Sequence, residues 1–249
     1  MAEEAEQAPR PRTPTYGRET VDISKRSDLT VAVLGSRNAI GQRRLVNFKV
    51  EEKALTTNSE YFTASLRFNK ANGHDDIELK DDDLNAIHIW LIYMQAAKEK
   101  EDAEQEHDGQ NHAKRRRQDG YEDRAAEQAL FEHSVVKNAN IDHIWHIINA
   151  ADKYLLDASI LRGFFDLWYK KNVHIGFLED DLARQVALPC YMFDHAEGFA
   201  EVTKWLAYNH EGHITEKRPE GFKWNHVRLA PPDFVGTYTP HSHLTSPPI

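Results

Sequence analysis

The period of the hydrophobic positions changes several times along the chain, and each change marks an element. LTVAVLG (29–35) is a strand-like apolar run that ends at Gly35. The polar stretch SRNAIGQRR, with Gly41, reads as a hairpin turn into LVNFKV, where Phe48 and Val50, with Leu45 upstream, alternate with polar neighbours. A short helical run holding Ala54 and Leu55 follows at once. Ser59 is placed to cap the next helix, because its hydroxyl can accept from a backbone N–H one turn on; Tyr61 and Phe62 enter that helix, and Asn72-Gly73 stops it.

After the short strand DIELK, Leu84, Ile87, Leu91 and Met94 recur at helical spacing, with Ile89, Trp90 and Ile92 widening the stripe. A helix apolar on nearly every side belongs among other elements. From Lys98 to Ala129 there is then no Val, Ile, Leu, Met, Phe or Trp. An acidic block, Glu99 to Asp108, precedes the basic run Lys114, Arg115, Arg116, Arg117. So little apolar surface cannot offset the entropy of ordering, so a charged disordered insertion is expected over about 97–138.

Order resumes at Ile141, Ile144, Trp145, Ile148, Ala151 and Leu155, one face of a four-turn helix with Asp152 and Lys153 facing away. Asp157 can cap a following helix that carries Leu161, Phe164, Phe165 and Trp168. Two more helices are expected, one from Leu178 to Leu188 stopped by Pro189, the other from Phe193 to Tyr208 with Ala196, Ala200, Thr203 and Ala207 beside Phe199, Val202 and Leu206. Residues 1–22 carry Pro9, Pro11 and Pro14 and no apolar period, the pattern of a disordered arm. Residues 231–249 form a Pro-rich tail, and Phe222, Trp224, Val227 and Leu229 could dock back on the helices.

These landmarks resemble the BTB/POZ family. Its strand-helix unit reads roughly F-x-V-H-K-x-x-L-x-x-x-S-x-Y-F, matched here by Phe48, Val50, Leu55, Ser59, Tyr61 and Phe62, with Glu51 and Glu52 where the family has His-Lys. Asp28-Leu29-Thr30-Val31 is similar to its opening strand, Ile77-Glu78-Leu79 with Asp81, Asp82 and Asp83 to its third strand and following turn, and Ala150-Ala151-Asp152-Lys153-Tyr154-Leu155 to its A-A-D-x-Y-L helix. The resemblance covers 23–171, interrupted by the insertion. A helical extension over 172–230 is similar in general character to the tails of fungal BTB-domain proteins.

The resemblance implies an α/β (α+β) fold, a mixed sheet on a helical cluster. It also implies a non-catalytic adaptor or scaffold that binds protein partners, commonly pairs as a homodimer, and often presents a substrate to a cullin-type ubiquitin ligase. By that resemblance pairing involves the regions around Asp28 to Val33 and Lys53 to Asn58, with Asp28 and Leu55 among the contacts. The apolar-x-Glu cullin motif falls on Phe68, Asn69 and Lys70, with lysine where the acid stands in the family.

Composition narrows the chemistry. Of 249 residues 40% are hydrophobic, enough for a core, and the formal net charge of -9 argues against general nucleic-acid binding, which needs a positive surface. The basic run Lys114 to Arg117 has two open readings, a nuclear-import signal in a transcription-associated BTB regulator or a solvated run balancing the acidic block. The single cysteine, Cys190, excludes an internal disulfide; there is no Asn-x-Ser/Thr, and the N-terminal MAEEAEQAPRPRTPT has no apolar segment of a secretory signal. No stretch is long and apolar enough to span a bilayer, so an intracellular protein without membrane contact is expected.

Enzymatic motifs are sparse. No phosphate-binding glycine loop, G-x-S-x-G elbow or H-E-x-x-H is present. A hydrolase using Cys190 and a histidine is the less favoured reading, because a free cysteine is more often a buried small hydrophobe. The pairs His143/His146 and His210/His213 have a spacing that could share a helix face, but neither has the further ligands a transition metal needs. No cofactor or metal is expected.

Overall fold

Leu29–Gly35 (β2) and Arg43–Val50 (β3) form the antiparallel hairpin that the alternation predicts, pairing Leu29 with Val50 and Leu34 with Leu45. In the computed structural model, which describes residues 15–37, 41–107, 125–220 and 222, two further strands flank this hairpin. Thr15–Asp22 (β1) runs parallel to β3, and Asp76–Asp82 (β4) runs parallel to β2, giving the order β1-β3-β2-β4. Val31, Val33, Val46, Phe48, Ile77 and Leu79 are all but fully buried. The fold is mixed α/β with a predominance of helix.

β1 corrects the expectation of a disordered arm over 1–22. It is an edge strand whose side chains from Gly17 to Thr20 are exposed, so it carries no alternation to read. Its order comes from backbone bonding to β3, with an irregular register between Thr15 and Arg18 where Gly17 takes φ +69°. Residues 1–14 lie outside the described residues.

The helix Glu52–Asn58 (α1) follows β3 directly. Its first turn has no side-chain cap of its own; Asp28 Oδ1, just ahead of β2, accepts from the Glu52 N–H at 2.6 Å. Ser59 then caps Glu60–Ala71 (α2) as its sequence suggests, accepting from the Phe62 N–H at 3.1 Å. β4 leads to Leu84–His107 (α3), which packs on β2, β3 and α1 with Ile87, Ile89, Trp90, Leu91 and Met94 buried.

The expected disordered insertion over about 97–138 is corrected at both ends. α3 continues through Lys98 to His107, and a short helix over 125–131 (α4) and another, Ser134–Lys137 (α5), fall within the same span. Glu, Lys, Ala and Gln are strong helix formers, so no apolar stripe is required where i,i+4 partners such as Lys98–Asp102 support the turn. Lys98 is itself buried, bound to Glu51 at 2.6 Å. Phe131 and Val136 join the core, and Lys171 Nζ donates to Lys137 O. Residues 108–124, including Lys114 to Arg117, lie outside the described residues.

Ile141–Tyr154 (α6) buries Ile144, Trp145, Ile148 and Ala151, and Asn140 and His143 close a reciprocal cap at its start. Its end departs from the sequence reading. Leu155 takes a left-handed conformation, φ 50°, and is 62% exposed, because the helix stops at Tyr154 and the turn points Leu155 outward. Asp157 caps a 3₁₀ turn, Ala158–Leu161, that leads into Arg162–Asn172 (α7).

A second 3₁₀ turn, Ile175–Phe177, precedes Asp180–Met192 (α8) and Ala196–Asn209 (α9), which pack on each other. α8 does not stop at Pro189, as the sequence suggests; it runs through it. Proline removes the N–H that would bond Gln185 O, and the Trp145 indole supplies the replacement, donating to Gln185 O at 3.0 Å. From α9 the chain crosses α8, where Arg184 donates to Thr215, and Phe222 packs on Trp145 and His146. Thus Phe222 docks back; Trp224, Val227, Leu229 and the tail 231–249 lie outside the described residues. Among those residues no helix is long and apolar enough to cross a membrane.

Candidate functional site

Ser59 joins two parts of the fold distant in sequence. Its hydroxyl donates to Tyr154 O at 2.7 Å while accepting from Phe62 N, and its backbone bridges to Leu156. The turn between α1 and α2 is therefore held against the end of α6. Between them opens a groove of about 850 Å³, lined in part by Thr57, Thr63, Ala64, Arg67, Phe68 and Leu155. Phe68 is 70% exposed, and with Leu155 it gives the groove two large apolar side chains facing solvent.

The polar groups around it differ in whether they are satisfied. Thr63 Oγ1 lies 3.0 Å from both Thr56 O and Ser59 O, and Asp157 is occupied by its capping bond to Ser159 N. Glu60 and Arg67 are exposed and make no ion pair among the described residues. On a helix these two lie seven residues apart on one stripe, about 10 Å along the axis, with Ala64 between them.

The end of α6, one residue before Leu155, carries a buried polar cluster. The Asp82 carboxylate, its side chain 3% exposed, takes Lys153 Nζ at 2.9 and 3.0 Å and the Tyr154 hydroxyl. Burial, with Asp82 next, pushes the Tyr154 phenol well above its ordinary range, so it stays a donor. Lys153 therefore does not simply face solvent; it also donates to Lys80 O. This cluster fixes the end of α6, and with it the exit direction of Leu155.

The five residues singled out for partner contact do not converge. Phe68 lies in the groove. Asn69 Nδ2 donates to Asp76 O at 2.7 Å and so ties α2 to β4. Lys70, two positions from Phe68 and so nearly opposite it on the helix, pairs with Glu52 at 2.7 Å. Leu55 is 1% exposed and belongs to the core, which corrects its assignment as a contact residue: its spacing marked the inward face of α1. Asp28 caps α1, and β2 is bonded on both sides, so the Asp28 to Val33 region offers no free strand edge for pairing.

Glu51 and Glu52 each hold a lysine. Glu51 binds Lys98, whose hydrogen bond lowers its pKa, and Glu52 binds Lys70. Glu52 and Lys70, two positions where the sequence departs from the resemblance, thus pair with each other. Leu155, Glu60, Ala64 and Arg67 escaped the sequence reading, because an exposed stripe has no periodic signal and the left-handed turn at Leu155 has no glycine to announce it.

The chemical alternatives are constrained by the same geometry. Cys190 is fully buried, and burial pushes its thiol far up, away from a nucleophilic thiolate. His195 accepts from Gly198 N through Nδ1 and meets Asp166 through Nε2, so both ring nitrogens have partners. His143 is used in the α6 cap and by Asn85, His146 packs on Phe222, and His210 meets Asp180 and His213 O. Among the described residues no group of three or more His, Cys, Asp or Glu side chains is arranged to hold a metal. No family model and no curated protein matches the chain.

Proposed function

We propose that this chain is a protein-interaction module of the BTB/POZ type, an adaptor or scaffold that works by holding a partner in the groove between the α1–α2 turn and the end of α6. The observation that carries this reading is the pair Phe68 and Leu155, brought together from 87 positions apart in sequence and left open to solvent beside the bonded turn at Ser59. Such exposed apolar side chains on a rigid base suit a partner's apolar anchor. The hairpin with a parallel third strand, followed by helices, agrees with the order of landmarks that resembles the family.

As a cullin adaptor, the chain departs at Lys70, which Glu52 holds and which inverts the charge of the family's acid. The unmodified chain should bind a cullin N-terminal domain weakly, and Lys70→Glu should strengthen binding. The wider reading is tested by quantitative affinity purification from the native cell, comparing the full chain with Phe68→Asp. Partner proteins recovered with the full chain should fall by about tenfold with Phe68→Asp, the effect of about 1.4 kcal/mol of binding energy. Equal recovery by both would remove the groove as the working surface.

A further inference from the structure

Arg67 and Phe68, neighbours in α2, give the groove a cation beside an apolar side chain, and Leu155 adds a second apolar side chain from the end of α6. Arg67 makes no ion pair among the described residues. A segment that fits this groove therefore needs a carboxylate beside a large apolar side chain. Glu60, about 10 Å along α2 from Arg67, repels a carboxylate and so sets which end of the groove the acid takes. The Thr63 hydroxyl between them is already bonded to backbone carbonyls, so covering it strands no polar group.

The sequence just beyond Phe222 carries that pair. Phe222 is the last described residue, and it packs on Trp145 and His146 of α6. Over residues 223–249 Asp233 is the only acidic side chain, and it stands directly before Phe234 and Val235. Reach is not limiting. Leu155 lies nine residues along from His146, about 14 Å on the helix axis, whereas the eleven residue steps from Phe222 to Asp233 extend to about 36 Å. Pro231 and Pro232 stand just ahead of Asp233, and proline's fixed φ leaves less freedom to lose when the next residues dock.

We propose that Asp233, Phe234 and Val235 of the same chain occupy the groove, with Asp233 paired to Arg67 and Phe234 against Phe68 and Leu155. The chain then covers its own binding surface, and a partner gains it only by displacing this segment. The proposal rests on the interaction-module reading for the groove as a binding surface, and it adds the regulation of that surface. With a tether this short the local concentration is about 1 mM, so a segment whose free-peptide Kd is about 0.1 mM covers the groove about ten to one and weakens a competitor about tenfold.

The test uses a labelled peptide of residues 229–240 with full-length chains, read by fluorescence anisotropy. The Phe234→Ser chain, whose own segment no longer competes, should bind the peptide about tenfold more tightly than the unmodified chain. In the Phe234→Ser background, Arg67→Glu and Phe68→Asp should each weaken the peptide by at least about tenfold. A peptide carrying Asp233→Lys should regain the Arg67→Glu chain, a rescue that an unfolded variant cannot show. Sedimentation velocity should give one assembly state for the unmodified and Phe234→Ser chains, because the contact lies within one chain.

A peptide that does not bind the Phe234→Ser chain would overturn the proposal, as would equal binding to both chains or binding indifferent to Arg67 and Phe68. Loss of a dimer on Phe234→Ser would overturn it too, assigning the segment to the groove of a second copy. If peptide binding fails while other proteins are still recovered in a Phe68-dependent way, only the self-covering fails and the interaction-module reading stands. If the peptide behaves as expected and no other protein is recovered, the adaptor reading fails and the groove is the segment's own seat.

Discussion

Removing the ammonium at Lys153 tests whether the end of α6, next to the groove, is held by charge. In Lys153→Met the Asp82 carboxylate keeps, among the described residues, only the Tyr154 hydroxyl, at a position 3% exposed, and Lys80 O loses a donor. Breaking one side of a buried ion pair costs about 3–5 kcal/mol, because the remaining charge is left without compensation. The Lys153 side chain is 33% exposed, so water reaches part of the gap and the lower end, about 3 kcal/mol, is expected. Tyr154→Phe removes one hydrogen bond to a charged acceptor and should cost about 2 kcal/mol. Asp82→Asn should cost about 1 kcal/mol, since the amide oxygen still accepts from Tyr154 and Lys153 can turn to water.

Urea unfolding followed by circular dichroism measures all three, with a constant m-value as the check on two-state behaviour. In the double variant Asp82→Asn/Lys153→Met the two losses should fall short of their sum by about 2 kcal/mol, since no buried charge is left behind. A Lys153→Met loss below about 1 kcal/mol, or losses that simply add, would refute the reasoning and reduce the cluster to a solvated surface pair.

Burial lowers His88 to a pKa of about 4, with His133 adding to it and Glu19 opposing, and its Nε2 has no hydrogen-bond partner among the described residues; the unfolded chain therefore binds the extra proton first. Stability is full above pH 6.5 and should fall as pH drops from 6.5 towards 4, by about 2 kcal/mol after discounting for partial exposure, and His88→Phe should flatten that part of the pH profile. Trp145→Phe should cost about 1–3 kcal/mol by stranding Gln185 O, and clearly less in a Pro189→Ala background, where residue 189 regains its own N–H; equal losses in both backgrounds would contradict the role given to the indole. Residues 109–123 carry no Val, Ile, Leu, Met, Phe or Trp, so replacing them by a few Gly and Ser should change stability by no more than about 1 kcal/mol. Phe131→Ala, just beyond that segment, should by contrast cost about 3 kcal/mol in the same unfolding assay, since Phe131 is 6% exposed and packs on Phe164.

Local pattern alone determined the β2–β3 hairpin, the buried start of α3, the inward face of α6 and the cap at Ser59. Each of these is specified by side chains whose burial or capping role is tied to a short, regular spacing. Where the stabilising partner is distant, the pattern carried no sign of it. β1 is ordered by the backbone of β3, α3 runs on past its apolar stripe because Lys98 finds Glu51, and α8 passes through Pro189 because Trp145 occupies the freed carbonyl of Gln185, 40 residues away in sequence. The groove belongs to the same class: in sequence Phe68 reads as the apolar residue of a partner motif and Leu155 as a core residue. Only the packing of the α1–α2 turn on the end of α6, with the left-handed turn at Leu155, sets them side by side, since a surface is made by elements meeting and no single element's period encodes it.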